Sequence, residues 1–222
     1  MREFLSYRNL LRASALAAIV TLMSIGRLIQ GGMPLAIFVP LTFGVLTFIC
    51  GAVTAWEHCA GMPGLVTDRR TLLHGSAVAL VIAMVVLPLR LLWLDDIIRK
   101  ALLSAGERSY YELSYPSTLG GVLALVMWSA GFQLLFTQAA PLSLCARLTN
   151  SRTISTALCV ALHTYIMYTQ VVAAGMTELP PLFILAALAQ GLVACLVFGI
   201  YGLIPTVVLA IGTDLHLLSN IH

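Results

Sequence analysis

The chain has 222 residues, 60 % hydrophobic and 9 % charged, with a formal net charge of +3. Water-soluble domains carry about 25 % charged residues, so this composition and a mean hydropathy of +0.98 exclude one. They predict an all-α, polytopic membrane bundle. Eleven of the twelve basic residues are arginine. None forms a basic cluster interleaved with aromatics, so the expected partner is the lipid bilayer and not nucleic acid.

Apolar runs of about 20 residues cross a bilayer as helices. Seven such runs occur, over 10–29, 33–56, 72–93, 118–140, 154–176, 181–201 and 203–218. Arg12 and Arg27 sit near the ends of the first, where a guanidinium can snorkel to the interface. Pro88 and Arg90 close the third, and Gly202 separates the sixth from the seventh.

The longest polar interval, 94–116, holds Asp95, Asp96, Arg99, Lys100, Glu107, Arg108 and Glu112. Ile97, Ile98, Ala101, Leu102 and Leu103 stand at helical spacing between them. That pattern predicts an amphipathic interfacial helix up to Gly106, then a loop with Tyr110, Tyr111 and Tyr115 at headgroup level. A plain connector is the simpler alternative.

The five cysteines (Cys50, Cys59, Cys145, Cys159 and Cys195) have no paired spacing and read as small apolar side chains. No small-residue cleavage site follows the first apolar run, so a removed signal peptide is not expected. There is no tandem repeat or flexible linker. One integral membrane domain is expected over 1–222, with three spans and the amphipathic connector in 1–116 and four helices in 117–222.

Arginine placement sets the expected orientation. Arg2, Arg8 and Arg12 precede the first span, Arg69 and Arg70 follow the second, and Arg147 and Arg152 follow the fourth. With seven spans these segments share one side. The N-terminus is then cytoplasmic, the C-terminus is outside, and the membrane is the cell's inner (plasma) membrane. The 94–116 segment puts basic residues on the other side, accompanied there by acidic ones.

Three helices carry polar stripes. Ser129, Gln133 and Thr137 lie at i, i+4 and i+8; Thr156, His163, Met167 and Gln170 share a face; so do Thr213, His216 and Asn220. Such side chains are costly in hydrocarbon unless partnered. Gln133, His163, His216 and Asn220 are therefore expected in one buried site near the midplane, with the fourth, fifth and seventh helices as neighbours. Interhelical hydrogen bonds, each worth about 0.6 kcal/mol, are the plain reading; a functional or formerly functional site is the other.

Arg90 and Asp214 are intramembrane charges that pair with each other or snorkel. No pair of intramembrane carboxylates stands out, which argues against proton-driven transport. Glu57, His58, Cys59 and His74 are metal-ligand types, but ligands adjacent in sequence rarely converge on one ion. No metal and no cofactor is expected, and residues 57–64 read as a polar interfacial loop. Trp56, Trp93 and Trp128 read as anchors or packing residues.

From about Thr118 to Asn220 the chain resembles the CPBP (Abi, or type II CAAX prenyl endopeptidase) family of intramembrane proteases. The family signature is Glu-Glu-x-x-x-Arg, then Phe-x-x-x-His, then His-x-x-x-Asn or Asp. Here H-L-L-S-N, His216 to Asn220, is similar to the last motif. C-V-A-L-H, ending at His163, is similar to the middle one with Cys159 for phenylalanine. The resemblance implies the family's fold in the last four helices. It also implies that His163 belongs to the water-activating pair and that His216 and Asn220 steady an oxyanion.

The first motif departs from the family. Phe132, Gln133 and Thr137 stand where the family has glutamate, glutamate and arginine. Glutamine takes no proton at neutral pH, so Gln133 reads as a vestigial site residue. The expected function is a degenerate, non-catalytic subunit that holds another membrane protein's transmembrane helix, a lipid or a prenyl chain. An active intramembrane endopeptidase with a rearranged base, for which a re-entrant Glu57 is one candidate, and a lipid-handling or transport protein are the alternatives. A carboxylate within hydrogen-bond reach of His163 would favour the endopeptidase.

Cysteine-accessibility labelling in intact cells checks the orientation. The 141–153 turn is expected to label from the cytoplasm and Glu178 from outside; labelling of both from one side removes the seven-span arrangement.

Overall fold

The computed structural model describes residues 6–56, 61–63, 67–104, 108–173 and 181–221. Among these every regular element is helical: α1 (Tyr7–Gln30), α2 (Leu35–Ala55), α3 (Arg69–Leu89), α4 (Asp95–Ser104), α5 (Arg108–Ser114), α6 (Leu119–Trp128), α7 (Ala140–Thr149), α8 (Arg152–Ala173), α9 (Pro181–Tyr201) and α10 (Leu203–Asp214). Side-chain caps begin several of them. Ser6 accepts the Asn9 N–H at 3.3 Å, and Thr118 the Gly121 N–H at 3.1 Å. Each satisfies a backbone donor that the first helical turn leaves over.

Six helical stretches are long and apolar enough to span a membrane: Tyr7–Gln30, Leu35–Ala55, Arg69–Lys100, Leu119–Thr149, Pro181–Tyr201 and Leu203–Asn220. The protein is a multi-pass, all-α membrane bundle. The 22-residue α8 is about 33 Å long at 1.5 Å per residue. It carries His163, Tyr165, Tyr168 and Gln170 along its length and is not among these six.

Two boundaries differ from the sequence expectation. The polar interval after the third span does not start a separate interfacial element. Helix α3 runs into α4 through a π-helical segment, Arg90–Leu94, in which the Asp95 N–H bonds the Arg90 carbonyl. The charged stretch after residue 140 is helix as well. It continues to Thr149 and ends at Asn150, whose φ of 49° is the left-handed cap asparagine tolerates. The turn before α8 is thus much shorter than 141–153. Tyr115, expected among headgroups, is buried with Leu102, Val122 and Leu217.

Helices α1 and α2 pack on each other, and α1 also packs on α6. Their core, with Ala13, Ala17, Leu46, Cys50 and Val53, meets Leu135, Leu142, Cys159 and Cys195 from the later helices. In the second half α3 pairs with α10, and α9 packs on both α8 and α10. Gly202, at φ 88°, makes the break between α9 and α10 that the sequence indicated.

At the α3–α10 contact a Cβ built on Gly212 would lie 2.6 Å from Ala83 Cβ. Gly212→Val is expected to lower stability by the roughly 1–3 kcal/mol of an overpacked core. Thermal unfolding in mild detergent reads this, and adding Ala83→Gly should return part of the loss. An unchanged melting curve would mean that these helices do not approach so closely.

Candidate functional site: two adjoining cavities and a buried ionic network

His163 is buried, with 1 % exposure, on the face of α8 turned to α9. Gly191 makes room for its ring: a Cβ there would come within 2.8 Å of His163 Cδ2. Neither ring nitrogen has a hydrogen-bond partner among the described residues. His163 lines a cavity of about 380 Å³ with Gln133, Thr137, Arg90, Gln190 and Asp214, its other walls mostly aliphatic side chains of α3, α9 and α10.

Gln133 also lines a second, smaller cavity of about 170 Å³, whose wall includes His216. The two cavities share Arg90, Leu94, Ser129, Gln133, Gln190 and Asp214. Ser129 and Gln133 come from a π-helical segment that continues α6, and Thr137 from a second one. Single π turns inside α-helices concentrate at functional sites.

The four sequence-indicated residues are thus not in one pocket. Gln133 faces both cavities, His163 one and His216 the other, and Asn220 lines neither. Helices α8 and α10 each pack on α9 and make at most a glancing contact with one another. The expectation that α6, α8 and α10 are mutual neighbours fails at that pair. Asn220 leaves the His216 face because 215–220 is a 3-10 helix. At about 3 residues per turn, positions i and i+4 point roughly 120° apart, whereas an α-helix brings them within about 40°.

A buried ionic network occupies the place where a single site was expected. Arg90 Nη1 donates to Asp214 Oδ1 at 3.5 Å, and Arg90 Nε lies 3.8 Å from Asp95 Oδ1. Asp95 Oδ2 is 3.6 Å from His216 Nε2, and both side chains are nearly inaccessible. His216 Nδ1 donates to the Thr213 carbonyl at 2.8 Å, which directs Nε2 toward Asp95. Arg99 donates to the Asn220 side-chain oxygen, and its guanidinium lies over the Tyr115 ring, 4.9 Å from the centroid.

Arg90 and Asp214 pair with each other, one of the two outcomes the sequence allowed. The sequence reading missed Asp95 and Arg99, which it placed in an interfacial connector, and Gln190, a lone amide in an apolar helix. α-Helical spacing gives no signal for Asp95. Arg90 and Asp95 are five apart, about 140° around an α-helix, and the π turn between them brings both to one face. Contrary to the sequence expectation, two intramembrane carboxylates do come together, since Asp95 and Asp214 both stand against Arg90.

Among the described residues no three histidine, cysteine, aspartate or glutamate side chains converge as metal ligands do. Glu57, His58 and Cys59, and with them the re-entrant Glu57, lie outside the described residues, as does Glu178. His74 meets the Tyr201 ring edge-on, with centroids 5.6 Å apart.

No protein-family model, curated protein or solved structure matches this chain.

The Arg99–Asn220 contact ties α4 to the end of the chain. Asn220→Leu removes the acceptor and is expected to cost about 1–3 kcal/mol, the penalty of an unsatisfied buried group. Asn220→Asp, which keeps an oxygen there, should cost less. Equal melting temperatures for the parent and the leucine variant would mean that the contact contributes nothing.

Proposed function

We propose that this chain is a non-catalytic membrane protein built on the plan of the CPBP intramembrane endopeptidases. Its larger cavity seats an apolar chain or a partner's transmembrane segment within a membrane complex. One observation carries this reading: His163 lines that cavity with both ring nitrogens unpartnered and a neutral Gln133 across from it. On the family's plan His163 would activate water together with a carboxylate, which must then lie within hydrogen-bond reach of it. Asp95 stands toward His216, and Asp214, which shares the cavity with His163, is paired with Arg90; neither is a hydrogen-bond partner of His163. The arginine distribution further supports an N-terminus in the cytoplasm, and the inner membrane is the proposed location.

A second reading, an active peptidase with a displaced base, is favoured by the approach of Asp95 to His216. Purified protein incubated with prenylated and transmembrane peptides separates the two. The non-catalytic reading expects no cleavage, and no change on His163→Ala or Asp95→Asn. Cleavage that falls about 10²–10⁴-fold on removing a general acid–base residue would overturn it, with Asp95 dependence identifying the displaced base.

A further inference from the structure

We infer that the ligand of the larger cavity is a single-chain lipid bearing one neutral, oxygen-containing polar group. This rests on the proposal above that the cavity seats a chain, and it names which kind.

The apolar wall favours a lipid tail. The cavity measures about 380 Å³ and is walled mostly by aliphatic side chains of α3, α9 and α10. Leu89, Trp93 and Leu185 line the cavity and are also well exposed on the outer surface of the bundle. The cavity therefore opens sideways between α3 and α9, onto an apolar flank of the bundle.

The inner end calls for a polar group. His163 is fully enclosed, and as a neutral imidazole it offers one donor and one acceptor, both unused. Beside it, Gln133 has a weak contact from its amide nitrogen to Met167 Sδ at 3.9 Å. Gln190, in the middle of α9, is exposed at the cavity wall, where a bare amide in hydrocarbon is unfavourable. An oxygen on the ligand can accept from His163 or from an amide N–H, and a hydroxyl can also donate.

The group should be neutral. Among the described residues the charged side chains at this wall are Arg90 and Asp214, and they are paired with each other at 3.5 Å. A carboxylate or an ammonium on the ligand would find no free counter-charge, and its desolvation would go unrepaid.

Native mass spectrometry of the full-length chain in mild detergent tests this. The probes are octadecanol, octadecanoate, octadecyltrimethylammonium and a single-pass transmembrane peptide. One octadecanol per chain should bind more tightly than either charged analogue. Ala189→Phe, at an exposed cavity position, should abolish that binding. Gln190→Leu, also exposed and so independent of folding, and His163→Ala should each weaken it about two- to tenfold, the worth of one hydrogen bond.

Charged analogues binding as tightly as octadecanol, and equally sensitive to Ala189→Phe, would overturn the neutral-group inference and leave the cavity proposal standing. So would binding of the peptide alone in an Ala189→Phe-sensitive way. Failure of every probe to respond to Ala189→Phe would overturn the cavity proposal itself.

Discussion

Arg90 lies within a span, and a guanidinium there must be neutralised where it stands. Asp95 and Asp214 do this from two directions, the first from five residues along the same helix and the second from α10. Their carboxylates depend on the arginine in turn, because removing one partner of a buried ion pair strands the other. Arg99 adds a second tie to the end of the chain through Asn220. The α3–α4 helix, α10 and the terminal 3-10 turn are thereby fixed to one another by charge, where lipid gives helices little hydrophobic reason to associate.

This constraint shapes both cavities. Arg90 and Asp214 form part of the wall between them, with Gln133 and Gln190. Because the pair is mutually satisfied, the larger cavity presents amides, hydroxyls and His163 and no unpaired charge. Gly191 lets α9 approach α8 closely enough to enclose the His163 ring, and Gly212 lets α10 approach α3. Small residues at helix contacts are what close packing in a membrane uses, and here they bring polar side chains from separate helices to one wall.

The fold was largely legible in the sequence. Runs of apolar residues mark the six candidate spans, with 154–176 expected as a seventh, and Gly202 marks the break before α10. Less legible were the ends, where charge was read as departure from the membrane. Leu142, Ser143 and Ala146 form a buried face on a helix whose other side carries Arg147 and which runs on to Thr149. Asp95 looked interfacial beside Asp96 and Lys100, yet it is turned inward, while Asp96 and Lys100 pair with each other on the outside. Local composition does not distinguish these two aspartates; the π turn does, by rotating Asp95 onto the face of Arg90. The site was legible as a set of polar residues but not in its grouping, because a 3-10 turn at 215–220 swings Asn220 away from His216.

A double-mutant cycle on Arg90 and Asp214 tests most directly whether charge ties α3 to α10. Unfolding of Arg90→Gln, Asp214→Asn and the double variant would be followed in mild detergent against the parent chain. The buried pair predicts two strongly destabilised single variants and a double variant less damaged than their sum, with a coupling of about 0.5–3 kcal/mol. Losses that simply add, within about 0.5 kcal/mol, would contradict an ionic link between these helices.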